Sequence, residues 1–96
     1  MIKSFKDADT ERLWNTGKSR RIPASLRKVA SRKLAWLDSA TLFDHLRVPP
    51  ANHLEALTGN RKGQFSIRIN QQWRVCFEWP EESDRPFNIE ICDYHS

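Results

Sequence analysis

The tripeptide Asp93, Tyr94 and His95, near the end of this 96-residue sequence, carries more reactive groups than any other. Histidine can give or take a proton near neutral pH, tyrosine can stack on a nucleobase, and aspartate can orient the imidazole. With arginine to stabilise phosphate charge, such a set is sufficient for metal-free RNA cleavage, in which a 2′-hydroxyl attacks the adjacent phosphate. The alternative interpretation is a frayed chain end without function.

The arginines of the second half of the chain could hold that phosphate. Arg68, Asn70 and Arg74 occupy even positions of two alternating runs, and Arg61 and Lys62 lie in the turn before them. A planar guanidinium is well suited to phosphate. We therefore expect a phosphate-binding sheet face with the turn at its rim. The alternative is an ordinary solvated face, since half-buried sheets commonly carry polar residues there.

Two helices are predicted upstream of these runs. Asp7 or Asp9 can cap a helix that extends to about Thr16 and stops at Gly17. A second helix is predicted over residues 23–39, beginning at a proline. Its apolar residues recur at the spacing of a buried stripe. Residues 2–5 read as a short strand.

The spacing of the apolar residues then changes from about 3.6, typical of a helix, to 2, typical of a strand. The alternation occurs in three runs, residues 65–70, 73–79 and 87–92, which predict an antiparallel meander. The side chains expected to face the helices are Ile67, Ile69, Val75, Phe77, Ile89 and Ile91. The opposite row, expected to be open to solvent, comprises Ser66, Arg68, Asn70, Arg74, Cys76, Glu90, Cys92 and Tyr94. The sequence thus predicts an α+β fold with two N-terminal helices packed on one face of a small antiparallel sheet.

The length of the chain indicates how many domains it forms, and its charge indicates what kind of partner it binds. Ninety-six residues with 39% hydrophobic content predict a single domain over residues 1–96. Residues 1–50 hold 11 Lys or Arg against 5 Asp or Glu, whereas residues 51–96 hold 5 against 7. The acidic excess lies in a predicted turn between Pro80 and Pro86. With no signal peptide or apolar span in the sequence, we expect a cytoplasmic protein without membrane contact and with a polyanionic partner.

No cofactor or metal is expected. His45, His53 and His95 lack the spacing of metal ligands, and two cysteines form neither a CxxC motif nor a disulfide scaffold. We expect free thiols at Cys76 and Cys92. The glycines form no phosphate-binding loop, and no serine lies in a nucleophile elbow.

The segment from Leu57 to Phe77, LTGNRKGQFSIRINQQWRVCF, resembles HigB-type toxins of the RelE superfamily, in particular the branch once called plasmid-maintenance killer proteins. The likeness extends to the opening residues 2–5 and to the ending at 93–95, and so covers nearly the whole chain. The resemblance implies a RelE-like microbial ribonuclease fold.

The activity implied by the resemblance is that of a metal-independent endoribonuclease that cuts mRNA in the ribosomal A site. The implied partners are the ribosome, mRNA and a HigA-type helix-turn-helix antitoxin, through which operator DNA would be bound. Carried over onto this sequence, the functional positions are Asp93, Tyr94 and His95 at the terminus, Arg68 and Arg74 for phosphate contact, and Asn70 as an auxiliary contact.

One position departs from the family pattern. Where some relatives have a histidine in a Leu-His-Pro-Leu stretch, this sequence reads Leu54-Glu55-Ala56-Leu57. Glu55 could therefore act as a base, or the position could be unused. His53 lies two residues earlier, and we do not transfer the role to it.

The sequence analysis leads to a ribosome-dependent mRNA interferase. Its helical half would contact ribosomal RNA through positive charge, carried by Arg20, Arg21, Lys28 and Arg32. The alternative is a non-catalytic module that blocks translation or acts as corepressor with its antitoxin. A basic RNA-binding domain without toxicity is a third possibility.

Overall fold

The structure, a computed structural model, describes residues 1–93. The elements are α1 (Ala8–Thr16), α2 (Arg27–Ser39), β1 (Glu55–Ala56), β2 (Phe65–Arg68), β3 (Trp73–Glu78) and β4 (Phe87–Asp93). Single 3₁₀ turns occupy residues 24–26, 43–47, 50–52 and 59–61. The four strands pair antiparallel in the order β1-β2-β3-β4. The predicted α+β class is confirmed.

Helix α1 begins and ends where the sequence predicts, whereas α2 begins at Arg27, after a 3₁₀ turn over residues 24–26, and not at the predicted Pro23. The Asp7 carboxylate accepts hydrogen bonds from the Thr10 backbone N–H at 3.0 Å and from its hydroxyl at 2.7 Å, which caps α1. Gly17 ends the helix at φ 77°, a left-handed conformation that glycine adopts without strain. In α2, the buried residues are Ala30, Leu34 and Leu37.

The main core lies between the helices and one face of the sheet. The six residues predicted to face the helices are all at most 8% exposed and share one cluster with Leu13, Leu34 and Leu37. The alternation in the sequence therefore assigned this face correctly. It did so because side chains point to opposite faces at every step of a strand.

The prediction that the opposite face is open to solvent is wrong. Ser66 and Cys76 have no exposed surface, and Arg74 and Cys92 are 6% and 5% exposed. The segment of residues 57–64, which we call the strap, lies across this face, with Leu57 packed against both cysteines. Alternation identifies the face to which a side chain points, but carries no information about a second layer above it.

The N-terminal segment lies along the outer edge of β4. Phe5 forms a single parallel bridge with Ile89, so the predicted strand at residues 2–5 is reduced to one bridge. Further along this edge, the Thr10 hydroxyl accepts from the Ile91 N–H at 3.2 Å. Arg21 Nη1 donates to the Ile91 carbonyl at 2.6 Å. The backbone groups at this edge are thus hydrogen-bonded within the chain.

A bulge in β4 interrupts the predicted alternation. Asn88 adopts φ 53°, and the pairing shifts register between Cys76 and Glu78. Phe87 therefore pairs opposite Glu78 and does not extend the row of Ile89. The acidic turn beyond β3 is exposed as predicted. Over residues 1–93, neither helix combines the length and apolar character that crossing a membrane requires.

Candidate active site

Arg74 is the most deeply buried charged residue of the sheet face under the strap. Its Nε donates to the Ser66 hydroxyl at 2.7 Å, and its Nη2 donates to the His53 carbonyl at 2.7 Å. Its Nη1 lies 3.2 Å from a carboxylate oxygen of Glu55, whose side chain is 52% exposed. One guanidinium thus joins β1, β2 and the chain before β1, and it fixes the Glu55 carboxylate at the edge of the sheet.

Arg68 lies directly opposite Arg74 on the neighbouring strand, so two positive side chains share one face at adjacent positions. Like charges placed directly opposite each other are destabilising. The Arg68 Nε is buried without a hydrogen-bond partner. Among the residues that the structure describes, no carboxylate pairs with Arg68. This half-buried guanidinium therefore has no counter-charge within the described residues.

The turn between β2 and β3 contacts Asp93 at the end of β4. Asn70 Oδ1 accepts from the backbone N–H groups of Gln72 and Trp73 at 2.8 and 2.7 Å, which fixes the turn. The Gln72 amide donates to the Asp93 carboxylate at 3.2 and 3.1 Å. Asp93 pairs opposite Trp73, one residue before Arg74. The side-chain oxygen of Asn70 is thus already hydrogen-bonded within the turn.

At the rim, Arg61 holds the strap to the sheet. Its Nη1 donates to Glu90 at 2.8 Å, and Lys6 Nζ lies 3.6 Å from the same carboxylate. Burial alone would raise the pKa of Glu90, but hydrogen bonds from Cys92 and Arg61 outweigh burial and lower it. The hydrogen bond to Glu90 raises the pKa of Arg61 against the effect of burial. Lys62, next along the strap, is exposed.

The two cysteines lie beneath the strap as free thiols. Its pairing with Cys92, together with the charges of Arg61 and Arg74, overcomes burial and lowers the pKa of the Cys76 thiol. The same pairing with Cys76, together with burial, raises the pKa of Cys92. The Cys92 thiol also donates to Glu90 at 3.0 Å. Both thiols are thereby integrated into the polar layer around the arginines.

The basic residues predicted on the helical half divide into two groups. Arg20 on the loop after α1, and Lys28 and Arg32 on α2, are exposed. Arg21, in contrast, donates to the Ile91 carbonyl and pairs with Asp7 at 3.2 Å. Arg21 therefore contributes to the structure of the β4 edge as well as to the surface charge.

The structure brings Glu55, Arg68 and Arg74 together on one face. It places Asp93 opposite Trp73 on the other face at the end of β4, and holds Arg61 and Glu90 in a separate pair. Tyr94 and His95 lie outside the described residues. Sequence reasoning missed Ser66 and the His53 carbonyl as anchors of Arg74, because a backbone acceptor leaves no signal in the sequence. Among residues 1–93, no three His, Cys, Asp or Glu side chains converge in a way that would hold a metal ion.

The fold and this arginine-rich face define a small two-layer protein with a site suited to a phosphate-bearing polymer. Residues 3–95 match a family model described as "RelE-like toxin of type II toxin-antitoxin system HigB". The chain belongs to this HigB-like family of type II toxin–antitoxin toxins.

Curated relatives agree with the family. The chain is 44% identical over 80 residues to "Toxin HigB-1" of Vibrio cholerae, an alignment that covers 82% of this chain and 84% of the relative. It is 32% identical over 95 residues to "Endoribonuclease HigB" of Proteus vulgaris, covering 99% and 100% of the two chains. An uncharacterised Haemophilus influenzae protein is 37% identical over 93 residues, covering 96% and 89%.

Proposed function

We propose that this toxin is a metal-independent endoribonuclease that cuts mRNA in the ribosomal A site and so inhibits translation. The observation that carries the proposal is the pair of arginines directly opposite each other on β2 and β3. Arg74 is engaged by Ser66, His53 and Glu55, whereas the buried Nε of Arg68 lacks a partner in residues 1–93. A phosphate bound by the half-exposed Arg68 side chain offsets the repulsion between the two guanidinium groups.

The two arginines have different roles in this proposal. Arg68 contacts the scissile phosphate and stabilises the negative charge that grows on it in the transition state. Arg74 is a positioning residue, because its guanidinium holds the Glu55 carboxylate at 3.2 Å. Glu55 then accepts the proton of the attacking 2′-hydroxyl, the function that a histidine in some relatives would supply.

The terminal residues complete the reaction. As the bond to the 5′-oxygen breaks, His95 donates a proton to that oxygen, leaving a 2′,3′-cyclic phosphate and a free 5′-hydroxyl. Tyr94 stacks on a base next to the cleavage point, and Asp93 orients His95. The support is that Asp93 ends β4 one position beyond Cys92, the residue opposite Arg74. His95 follows Asp93 by two residues in the sequence.

The ribosome supplies much of the geometry that this small protein lacks. The exposed cations Arg20, Lys28 and Arg32 face solvent on the helical half, and we assign them to contact with ribosomal RNA. Lys62 extends the positive surface beside the site, with Arg61 and Asn70 as secondary contacts. Holding the mRNA in register would account for a large part of the rate enhancement, because correct orientation removes much of the barrier. Naked RNA should therefore be a poor substrate.

The partner in the cell is the antitoxin that the family implies, and we propose a HigA-type helix-turn-helix protein. Operator DNA would then be bound through the antitoxin. A reading frame beside the toxin gene that encodes such a protein would support this assignment, and a neighbour of another class would contradict it.

The nuclease proposal is tested by mapping new mRNA 5′ ends after brief induction of the toxin without antitoxin. We expect in-frame cuts with the wild type, and a loss of about 100-fold or more in Arg68→Ala and in His95→Ala. Arg12→Ala is the matched control, since Arg12 is exposed on α1 and lies outside the proposed site. The purified toxin should cut mRNA on programmed ribosomes and leave the same free RNA largely intact.

Two outcomes would contradict the proposal. Growth arrest without new ends would indicate a non-catalytic block of translation. Cuts that persist in Arg68→Ala at the wild-type level would remove that guanidinium from the mechanism.

A further inference from the structure

The large hydrophobic side chains that the described residues expose all lie on one surface, at the end of the sheet away from Arg68. They are Met1, Trp36, Leu42 and Val48, with exposures of 68%, 38%, 62% and 63%. Three adjoining hollows connect them. The hollow beside Leu42, the one beside Trp36 and Val48, and the one beside Met1 share lining residues pairwise. We call this continuous area the Leu42 surface.

The floor of the Leu42 surface is aromatic. Phe43 contacts Phe65 with ring centroids 4.7 Å apart and Trp79 at 6.0 Å, both edge to face. These rings line the groove in which Leu42 stands. Because they pack against the main core, the groove has a firm base. Contiguous exposed apolar area of this kind marks binding surfaces in soluble proteins.

The rim of the Leu42 surface is acidic, although the chain as a whole carries a net charge of +4. Asp44, Glu81 and Asp84 line the groove, and Glu82 is exposed beside them. Asp44 and Asp84 pair with the neighbouring arginines Arg47 and Arg85. Within residues 1–93, Glu81 and Glu82 form no ion pair. Uncompensated negative charge thus borders the apolar groove.

The apolar groove and its acidic rim together indicate which kind of partner the Leu42 surface binds. Ribosomal RNA is repelled by the unpaired carboxylates, and a second copy of the chain docked symmetrically through this surface would bring the same acidic rim against itself. A segment with apolar side chains flanked by Lys or Arg satisfies both the groove and its rim. We propose that the Leu42 surface binds a cationic, apolar segment of the antitoxin. The inference rests on the toxin–antitoxin assignment and is independent of RNA cleavage.

The location of the Leu42 surface separates it from the candidate active site. Trp79 and Pro80 follow the last residue of β3, whereas Arg74 lies near its first. Arg74 and Trp79 are five residues apart, about 17 Å at 3.3 Å per residue. On β2, Arg68 lies three residues, about 10 Å, from Phe65, which lines the groove. An antitoxin segment held at the Leu42 surface therefore leaves Arg68 uncovered, and neutralises the toxin through the bulk that it adds.

The test is the affinity of the purified toxin for the antitoxin encoded beside it, measured by titration calorimetry. Leu42→Ser removes an apolar anchor, and the double variant Glu81→Lys/Glu82→Lys reverses the free acidic charge. We expect Kd to rise about 10-fold or more for each. Glu11→Lys, an exposed reversal on α1, should change Kd less than about 3-fold. Thermal unfolding confirms that each variant is folded.

Hydrogen exchange and toxicity complete the design. In the complex, residues 36–48 and 79–85 should gain protection, and so should an antitoxin segment rich in Lys or Arg. Without antitoxin, the Leu42 surface variants should arrest growth as the wild type does. Unchanged Kd in both variants, an acidic protected antitoxin segment, or concentration-dependent dimers that bury the Leu42 surface would each overturn the inference. Loss of RNA cutting with intact antitoxin binding would count only against the nuclease proposal.

Discussion

At the scale of single residues, the two arginines of the candidate site occupy different environments. Arg74 is buried and bonded to three neighbours, whereas Arg68 beside it has a buried donor without a partner in the described chain. The hydrogen-bond donors of a residue that stabilises the fold usually have partners within the protein. A residue kept for a ligand can remain unsatisfied until the ligand arrives. The contrast predicts opposite effects of substitution.

Arg74→Ala should lower the free energy of unfolding by about 2–4 kcal/mol, because Ser66 and the His53 carbonyl lose a buried charged donor. Arg68→Ala should leave stability unchanged or raise it by up to about 1 kcal/mol, since it removes a like charge opposite Arg74. Urea unfolding of the two variants measures both. Equal destabilisation would mean that Arg68 is also structural.

Because Arg74 is a positioning residue, its role in catalysis needs a readout that is separate from stability. Arg74→Lys keeps the charge but cannot hold Ser66, His53 and Glu55 at once. We expect cleavage by folded Arg74→Lys to fall to the level of Glu55→Gln, and the double variant to fall no further. Additive losses would show that Arg74 acts independently of Glu55.

The sequence predicted that Arg68 and Arg74 share a face of the sheet, but it did not predict that only one of them is fully hydrogen-bonded. Even-numbered positions placed Arg68 and Arg74 on one face, and the structure agrees. Which of them is satisfied depends on Ser66, on Glu55 and on a backbone carbonyl at His53. Those contacts arise from tertiary packing, which alternation along two strands does not encode.

At the scale of elements, the strap decides how accessible the polar layer is. It is fastened by Arg61 to Glu90, a carboxylate that also interacts with Lys6 and the Cys92 thiol. The strap, the N-terminal segment and β4 thus meet at one half-buried carboxylate. Neutralising it should loosen the strap before the main core opens, since Arg61 ties the strap to this carboxylate, whereas Glu90 is no part of the main core.

The Glu90 carboxylate makes the stability of the strap dependent on pH. Its pKa in the folded chain lies below its ordinary value of 4.5, so its stabilisation is present above that value and disappears as pH falls through the folded pKa. Asp9, whose pKa is also lowered, adds a component of the same sign below 3.8. Stability should therefore fall as pH drops below about 4.5 and through the lowered pKa values of Glu90 and Asp9.

Glu90→Gln isolates the contribution of the strap. At neutral pH we expect a loss of about 1–2 kcal/mol and faster labelling of Cys76 and Cys92, and a shallower fall in acid than in the wild type. Glu82→Gln is the control, because Glu82 is exposed and lies in the turn after β3. Wild-type labelling rates in Glu90→Gln would show that the strap is held by Leu57 packing alone.

The elements themselves were largely predictable, whereas their irregularities were not. The cap at Asp7, the stop at Gly17 and the three long strands follow from local patterns. Two-residue β1 leaves too short a pattern to recognise, and the bulge at Asn88 depends on an asparagine taking a left-handed conformation. Both features depend on tertiary contacts more than on the local sequence.

At the scale of the whole molecule, charge is segregated. Exposed cations lie on the helical half, and unpaired acids lie at the turn after β3. Such a distribution orients the protein on a polyanion as it approaches. The sequence predicted this imbalance from its two halves, but it did not predict that the acidic turn borders the exposed apolar residues, because residues 36–48 are distant from it along the chain.

Binding to ribosomes should weaken with salt in proportion to the cations involved. Lys28→Ala/Arg32→Ala should reduce the slope of log K against log salt by about 1–2, as measured by ribosome sedimentation across a salt series. Lys3→Ala/Arg12→Ala removes the same charge from other exposed positions and should leave the slope nearly unchanged. Equal reductions in both double variants would mean that only net charge matters.

The covered outer edge of β4 has a consequence for how this protein meets any other chain. Its backbone groups at Ile89 and Ile91 are already taken by the N-terminal segment, Thr10 and Arg21, and the opposite edge, β1, is only two residues long. In the described part of the chain, neither edge can therefore template an added strand, which protects a freed toxin from fibril-like self-association. Another protein chain must then bind through contacts with side chains. Substitutions on the surface can therefore change which partner binds, while the sheet itself stays unchanged.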